Sequence, residues 1–562
     1  MDRRKALSVG AEFFGDLIKD NCYYVDKTAA IEELLTRKAR VTLFTRPRRF
    51  GKTLFMTTLK SFFEIGTDAK LFDGLAIAKN QEFCEKHLGK YPVIFLTLKG
   101  VEAHSFAAAR SILERLIGGF AGQQDYLRDS DRLNEEDKEQ LAALIKQGLG
   151  NEPMADGLLL ESLKLLSTLL TKHWGQRTVV LIDEYDVPLD AAYRGNYYDE
   201  MVELMRGLFG NVLKTNENLA FAVLTGCLRI AKESIFTGLN NFDVWTMAHR
   251  EFSTAFGFTH EEVHEMLSYY DRKELYEPGR DWYDGYLFGE SSVFCPWDVI
   301  KYVSRNYGEY RSEPENYWAN TSGNALLLVL IERMNLHSPR ELEALIGGGS
   351  VEKHISQELT YRELDDTEQR LWSVLYMTGY LTTDKLPQNE IYSLVIPNRE
   401  IRNLIVEHVL KLFKRSVKND EEKLRRFVGA IEQGKSELIE EIFTGYLREH
   451  VSIRDNTVRP EMKENFYHGY LLGILQVADG VYVKSNREAG DGYADLIIEF
   501  RDVGAIIEIK YAENDRLDYW AAEALKQIDE RHYDEAFDPD EFKTVHKYGM
   551  ACYKRKCRVL MG

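Results

Sequence analysis

The sequence predicts a multidomain α/β protein, and three observations support this prediction. The chain has 562 residues, which is enough for about three or four domains. Its first third alternates short apolar runs with longer helical segments, a pattern typical of a parallel sheet covered by helices on both faces. From about residue 462 the pattern becomes one helix, three strands, a second helix and two strands, which predicts a smaller α/β domain at the end of the chain.

Composition and charge exclude several classes of protein. Hydrophobic residues make up 44% of the chain and charged residues 29%, which excludes collagen-like, coiled-coil and wholly disordered proteins. The formal net charge of −18 excludes a uniformly basic nucleic-acid coat, although a local basic site is still allowed. Six scattered cysteines without a CxxC pair indicate reduced thiols and a cytoplasmic protein. We read no signal peptide and no membrane span, so we expect no membrane association.

Four short apolar runs mark the strands of the first predicted sheet. Long segments with helical periodicity separate them, so the strands are expected to run parallel in a first domain that spans residues 1–258. The four runs are Val41–Thr45, Val93–Leu98, Thr178–Ile182 and Ala220–Leu224.

The middle and the end of the chain divide into three further predicted domains. A Thr-x-x-Glu capping-box pattern at Thr259 predicts a helix start, and residues 259–350 are expected to form a helical lid. Residues 351–461 contain a helix, two short strands and a second helix that begins near Asn398, which predicts a winged-helix-like module with a charged helical connector. Residues 462–562 form the predicted C-terminal α/β domain.

A candidate phosphate-binding loop follows the first apolar run. Thr45–Thr53 (TRPRRFGKT) leads from a strand into a helix, where backbone N–H groups and the helix N-terminus can bind phosphate. Lys52 would reach the β- and γ-phosphates of ATP, and Thr53 would bind Mg²⁺. Arg46 stands where the usual GxxxxGK[ST] pattern has its first glycine, and a plain turn before a helix is the simpler interpretation. The residues assigned to the nucleotide here are Arg46, Arg48, Arg49, Gly51, Lys52 and Thr53.

Acidic residues end the third apolar run and support this interpretation. The carboxyl ends of parallel strands meet ligands at one edge of such a sheet. Asp183 is therefore expected to hold Mg²⁺, and Glu184 is expected to polarise the attacking water. Thr225 ends the fourth run and could bond the γ-phosphate or water, although a simple turn residue explains it equally well. Arg229 could sense phosphate, but a surface arginine is the preferred interpretation.

A second group of catalytic residue types lies in the C-terminal domain. Glu508 and Lys510 are two apart on a predicted strand, so they project from the same face, and Asp495 begins the neighbouring strand. Two carboxylates can bind a divalent cation, which can polarise a phosphodiester and activate water beside a lysine. A cross-strand ion pair at a strand edge is the alternative.

Residues 1 to about 245 resemble a bacterial AAA-ATPase-like family whose phosphate loop reads RPRRFGK[ST]. In that family the missing first glycine is normal, so Arg46 does not argue against ATP and Mg²⁺ binding. The resemblance places Asp26 and Lys27 near the nucleotide base, although a helix N-cap region is the simpler interpretation. WYDGY and CPWDV also recur in the family, and we interpret them as packing within the lid. The segments that carry the resemblance are YYVDKT, TRPRRFGKT, PVIFLTLKG, LIDEYDVPL and SIFTGLNNF.

The C-terminal domain resembles the PD-(D/E)xK nuclease superfamily. That resemblance implies a metal-dependent nuclease with Mg²⁺ or Mn²⁺ at Asp495 and Glu508. It also implies Glu464 as an acid of the preceding helix that approaches the metal, and Gln527 and Tyr533 as residues of the following helix. Tyr493 departs from the family, which usually has arginine there, and this puts one phosphate contact in doubt. His468 lies one helical turn from Glu464 and is interpreted as a core or cap residue.

The two resemblances together imply an ATP-hydrolysing protein with a nuclease domain that acts on nucleic acid. Homo-oligomerisation is compatible with this class. One alternative is a nucleotide-gated signalling switch whose nuclease-like domain only binds. The other is a nucleic-acid-binding adaptor that uses the basic residues of the middle module, which a solvated helix face explains equally well.

Overall fold

The fold is given by a computed structural model, which forms two compact units. It describes residues 4–228, 236, 242–307, 313–318, 327, 330–331, 339–356, 368–418, 421–450, 460–475, 478, 481–489, 492–512, 515–539 and 541–562. The first unit comprises Met1–Tyr317 and Glu352–Arg399, and the second comprises Trp318–Val351 and Glu400–Gly562. The domain boundaries at 258, 350 and 461 stay predictions.

The described residues form the following elements. The helices are α1 Phe14–Lys19, α2 Ala29–Thr36, α3 Lys52–Phe63, α4 Gln81–His87, α5 Phe106–Gln123, α6 Glu135–Gly148, α7 Asp156–Trp174, α8 Val187–Arg194, α9 Tyr198–Leu213, α10 His260–Tyr269, α11 Tyr276–Tyr283, α12 Pro296–Arg305, α13 Pro339–Ile346, α14 Glu368–Met377, α15 Arg399–Lys418, α16 Glu421–Glu432, α17 Ser436–His450, α18 Pro460–Leu475 and α19 Leu517–Glu530. The strands are β1 Val41–Thr45, β2 Val93–Thr97, β3 Thr178–Asp183, β4 Leu219–Gly226, β5 Phe242–Trp245, β6 Tyr286–Phe288, β7 Ser291–Val293, β8 Val351–His354, β9 Thr382–Thr383, β10 Ile391–Val395, β11 Tyr482–Ala489, β12 Gly492–Glu499, β13 Val503–Tyr511, β14 Thr544–Tyr553 and β15 Lys556–Met561.

The first unit is built on a parallel five-stranded sheet with the order β2-β3-β4-β1-β5. The four predicted strands are confirmed, and every residue of β1 and β3 is buried, as expected for strands covered on both faces. The fifth strand, β5, was not predicted, because it does not coincide with an apolar run. Since β4 lies between β1 and β3, the carboxyl ends of these three strands meet at one edge of the sheet.

The part of the predicted lid that lies in the first unit contains helices α10 to α12 and a short β6–β7 hairpin that the sequence did not predict. The capping box is confirmed, because the Thr259 hydroxyl accepts the N–H of Glu262 and the Glu262 carboxylate accepts the N–H of Thr259. These helices enclose a cluster that we call the lid core, formed by Phe258, Val263, Met266, Leu267, Tyr270, Leu275, Tyr283, Phe294, Val299, Tyr302, Val303 and Tyr317.

The middle region has the predicted order of helix, two strands and helix. Helix α14 leads into the antiparallel pair β9–β10, and α15 follows. A further strand, β8, joins the pair on the side of β10.

The second unit contains a mixed sheet with the order β11-β12-β13-β14-β15. Strand β13 pairs antiparallel with β12 and parallel with β14, and helix α19 makes the crossover between β13 and β14. The predicted order of one helix, three strands, one helix and two strands is therefore confirmed. None of the helices described in either unit is long and apolar enough to cross a bilayer.

Candidate nucleotide and nuclease sites

The phosphate loop makes its turn into helix α3 at Gly51. This glycine is the N-cap of the helix and has a φ of 81°, in the left-handed region. A Cβ built on it would meet no atom within 4 Å, so the backbone conformation rather than space favours glycine here. Lys52 and Thr53 are the first two residues of the helix, where backbone N–H groups without a partner inside the helix can bind an anion.

The amino group of Lys52 is buried among oxygen and sulfur atoms. Its Nζ donates to the carbonyl oxygens of Arg46 (3.2 Å) and Pro47 (3.1 Å). It also lies 3.2 Å from Glu184 Oε1 and 3.5 Å from the Cys227 sulfur. Burial lowers the pKa of Lys52, but its neighbours Cys227 and Glu184 outweigh burial and raise the pKa above its usual value. The lysine is therefore held as a buried cation against the backbone of the phosphate loop.

Three threonine hydroxyls hold the carboxylate of Asp183. Thr53 Oγ1 donates to Oδ2 at 2.8 Å, Thr97 Oγ1 donates to the same oxygen at 3.2 Å, and Thr225 Oγ1 donates to Oδ1 at 2.6 Å. Burial, followed by the charge of Glu184, raises the pKa of Asp183. A hydroxyl and a carboxylate in contact at the start of a helix are hard oxygen ligands that fit Mg²⁺ bound to a nucleotide.

Glu184 and Thr225 lie where the sequence predicted them. Glu184 has a φ of 54°, which is a strained backbone for a non-glycine residue, and its N–H donates to Thr225 Oγ1 at 3.4 Å. Thr97, Asp186 and Cys227 are further residues of this site that the sequence did not predict, and Asp186 Oδ2 accepts the N–H of Cys227 at 2.8 Å. All three lie at or just beyond the carboxyl end of a parallel strand, and that position was the available signal.

Arg46 has structural partners of its own within the first unit. Its guanidinium is fully buried and donates to the carbonyl oxygens of Trp245 (2.8 Å) and Phe252 (3.1 Å), while it lies over the rings of Phe256 and Phe288. Such a side chain ties the loop to the sheet edge, and its role in nucleotide binding stays a prediction.

The other two arginines of the loop differ from Arg46. Arg48 is mostly buried, and although burial opposes its charge, Cys227 and Asp190 raise its pKa above the usual value. The Arg49 guanidinium lies 4.1 Å from the centre of the Trp297 ring. The roles of both in nucleotide binding stay predictions.

Asp26 and Lys27 have structural partners. Asp26 accepts the N–H groups of Thr28 (2.8 Å) and Ala76 (2.6 Å), and Lys27 donates to both oxygens of Glu262. These contacts agree with the simpler helix-cap interpretation. Arg229 lies outside the described residues.

The C-terminal candidate residues meet on β12 and β13. Glu508 is 2% exposed, and the Asp495 N–H donates to its Oε2 at 3.4 Å. Asp495 Oδ2 accepts the N–H of Ile509 at 2.8 Å. The Lys510 amino group lies 3.2 Å from Glu508 Oε1. The two carboxylates and the lysine are therefore adjacent, as the strand alternation predicted.

Helix α18 brings two further side chains to this site. Glu464 Oε1 lies 3.5 Å from Lys510 Nζ, and Glu464 Oε2 accepts the N–H of Tyr511 at 3.2 Å. His468 Nε2 lies 3.0 Å from the carbonyl oxygen of Asp495. His468 is thus hydrogen-bonded to the backbone of a candidate metal ligand, a contact that the sequence did not predict.

Helix α19 and the turn after it support Glu508 from the other side. The Gln527 amide donates to Glu508 Oε1 and also to the Tyr533 hydroxyl at 3.2 Å. Tyr493, two residues before Asp495 on β12, is 66% exposed. Gln527 therefore contacts Glu508 directly, whereas the contact of Tyr533 is with Gln527.

The electrostatics of this site fit a divalent cation. Burial, followed by repulsion from Asp495, raises the pKa of Glu508 to about 7. A cation between the two carboxylates would relieve this repulsion. Within the described parts of the chain, no group of three or more His, Cys, Asp or Glu side chains is arranged to hold a metal. Asp495 and Glu508 would accordingly share the ion with water or substrate oxygens, as is usual for Mg²⁺.

Comparisons with known proteins agree with this geometry. Residues 8–236 match the family described as predicted AAA-ATPase, and residues 462–561 match the PD-(D/E)XK nuclease superfamily. The chain is also similar to a protein of Azotobacter chroococcum mcd 1, described as an uncharacterized protein in the vnfD 5' region. The two are 24% identical over 580 residues, which cover 100% of this chain and 98% of the relative. The chain is therefore similar to the AAA-ATPase-like family in its N-terminal part and to the PD-(D/E)XK nuclease superfamily in its C-terminal part.

Proposed function

We propose that this protein is a cytoplasmic ATPase that also cleaves nucleic acid phosphodiesters with the help of a divalent metal. The observation that carries the proposal is that Asp495, Glu508 and Lys510 lie next to one another in the C-terminal domain. In the N-terminal domain of the same chain, the Thr53 hydroxyl donates to Asp183. The first group can hold a metal ion beside a phosphodiester, and the second can hold the metal of a bound nucleotide.

In the nucleotide site, bound ATP and Mg²⁺ supply the reactive phosphate and neutralise its charge. Thr53 and Asp183 would hold the metal, and Lys52 would bind the β- and γ-phosphates. Glu184 would accept a proton from the attacking water at its carboxylate. Thr225 fixes the peptide that carries Glu184, since its hydroxyl accepts the N–H of that residue.

In the nuclease site, Asp495 and Glu508 would hold Mg²⁺ or Mn²⁺, which supplies polarisation of the phosphodiester and activation of water. Lys510 Nζ is the donor that would orient that water. Glu464 holds the lysine from α18, and Gln527 orients Glu508 from α19. Supporting contacts of this kind fix a ligand in its productive rotamer.

The test is to incubate the purified full-length protein with labelled DNA and RNA, with Mg²⁺ or Mn²⁺, and with or without ATP. We expect metal-dependent cleavage that disappears in Asp495→Ala, and ATP turnover that disappears in Lys52→Ala. Cleavage that persists in Asp495→Ala would remove this site from consideration.

A nucleotide-gated switch is the second candidate function, favoured by the contact between Lys52 and Glu184. Their 3.2 Å ion pair engages the glutamate that would otherwise accept a proton from water. The switch predicts slow ATP turnover, nucleotide-dependent assembly into a homo-oligomer, and no metal-dependent cleavage.

A further inference from the structure

Helix α12 contacts the phosphate loop through one arginine. The Arg49 guanidinium lies 4.1 Å from the centre of the Trp297 ring, a distance at which a cation is attracted to the face of an indole. Arg49 Nη1 is 4.0 Å from the buried Asp298 carboxylate. Cys295 is the N-cap of α12, and its thiol donates to the Arg49 carbonyl oxygen at 3.9 Å. Three side chains of one short segment therefore meet one residue of the loop.

The backbone of Arg49 is in a conformation that needs such support. Its φ is 71°, in the left-handed region that costs a non-glycine residue energy. Strained residues of this kind persist where surrounding contacts fix them, and they cluster at functional sites. Gly51, two residues later, is also left-handed and leads directly into Lys52. The conformation at Arg49 thus belongs to the turn that presents the lysine.

Positive charge is concentrated around the same indole. Lys301 Nζ lies 4.4 Å from the centre of the Trp297 ring. Burial lowers the pKa of Lys301, and repulsion from Arg305 and Arg49 lowers it further. Two cations on one ring next to a phosphate loop are costly unless anions lie close by, and Asp298 is one such anion.

We propose that Trp297 and Asp298 are positioning residues of the nucleotide site. They hold Arg49, and through it the turn before Lys52, in the conformation that binds phosphate. This inference rests on the proposed function, because it assumes that the loop binds ATP. It changes the interpretation of the CPWDV segment from packing within the lid to support of the loop.

The chain offers a matched control for Trp297. Trp282 also packs at the edge of the lid core and also has an arginine over its ring, Arg399 at 5.0 Å. The Trp282→Leu and Trp297→Leu variants therefore lose similar packing, but only the second loses a contact with Arg49. Trp297→Phe keeps an aromatic face and serves as the conservative variant.

The experiment measures ATP affinity, ATP turnover at saturation and thermal unfolding for the full chain. We expect Trp297→Leu and Arg49→Ala each to weaken ATP binding by about threefold to tenfold, with a larger effect on affinity than on turnover at saturation. Trp282→Leu should bind ATP like the wild type, and Trp297→Phe should recover most of the loss. The Arg49→Ala/Trp297→Leu double variant should bind no more weakly than the worse single variant, since both remove one interaction.

Two results would overturn the inference while the proposed function stands. The first is that Trp297→Leu binds ATP as tightly as Trp282→Leu does. The second is that the losses of ATP affinity in the two single variants multiply in the Arg49→Ala/Trp297→Leu double variant. A wild-type protein that binds no ATP would remove the proposed function and this role with it. In that case, the contact would be structural only if the double variant lowered the unfolding temperature by less than the sum of the two single variants.

Discussion

At the scale of single residues, the nucleotide site depends on how one buried carboxylate is satisfied. Both carboxylate oxygens of Asp183 accept hydrogen bonds from threonine hydroxyls, and the bond from Thr225 is the shortest of them at 2.6 Å. A buried carboxylate that loses such a donor carries the cost of desolvation without compensation. Thr225 is therefore more than a turn residue at the end of β4.

The first prediction concerns Thr225→Val, which keeps the shape of the side chain and removes the hydroxyl. We expect a loss of about 1.5–3 kcal/mol in the free energy of unfolding, as for a hydrogen bond to a charged group. Urea denaturation would measure it. Thr225→Ser keeps the donor and should lose much less. Equal stability of the valine and serine variants would show that the bond to Asp183 contributes little.

The second prediction concerns Gln527, which donates to both Glu508 and Tyr533. Gln527→Leu removes the donor that orients Glu508, so we expect metal affinity or cleavage to fall by about 10–100-fold. Lys526→Met is the control on the same helix, because Lys526 is exposed and pairs with Glu530 at the surface. Calorimetric titration with Mn²⁺ tests binding separately from cleavage. A Gln527→Leu variant that binds Mn²⁺ like the control contradicts an orienting role.

The sequence predicted where single residues lie when their position in a strand fixed them, and did not when tertiary contacts fixed them. Asp183, Asp495 and Glu508 follow from strand position alone. Arg46 could not be placed that way, since its side chain turns to carbonyl groups of Trp245 and Phe252, about 200 residues later in the chain. Loop sequence gives no information on such partners.

At the scale of elements, the alternation of apolar runs with helical segments predicted the strands of the parallel sheet. Strand β5 was missed because its four residues are all half-buried and form no apolar run. The β6–β7 hairpin was missed because each strand has only three residues. Short strands are defined by their pairing, and a single chain segment does not reveal its partner.

The third prediction concerns the packing of α19 on β14. A Cβ at Gly549 would lie 2.1 Å from the carbonyl oxygen of Ala521 and 2.6 Å from the nitrogen of Leu525, both backbone atoms of the helix. Gly549→Ala must displace the helix, so we expect a loss of at least about 1–3 kcal/mol in unfolding free energy. Cleavage should also fall, because α19 carries Gln527.

Gly429→Ala on α16 is the matched control for this variant. The nearest atom to its added Cβ is the end of the Gln433 side chain at 3.8 Å, and alanine favours a helix over glycine by about 1 kcal/mol. Chemical denaturation of both variants would compare them. A Gly549→Ala variant as stable as Gly429→Ala would mean that the helix and the strand can separate without cost.

At the scale of the whole molecule, each compact unit holds one complete group of candidate residues. The nucleotide residues lie in the first unit and the nuclease residues in the second. The order of motifs along the chain was enough to identify both domains. The hypothesis that the two sites act together is motivated by their covalent linkage, and it needs a measurement on the intact chain.

The last prediction is that nuclease activity responds to ATP through Lys52. If the sites are coupled, adding ATP should change the cleavage rate of the wild type by at least about fivefold, which is the lower end of typical coupling between sites. Lys52→Ala removes the amino group that would bind the phosphates, so it should abolish ATP turnover and this response together. Asp495→Ala is the reciprocal control, because it should abolish cleavage and leave ATP turnover intact. If Lys52→Ala loses turnover and yet cleaves like the wild type, both with and without ATP, the two sites act independently within one chain.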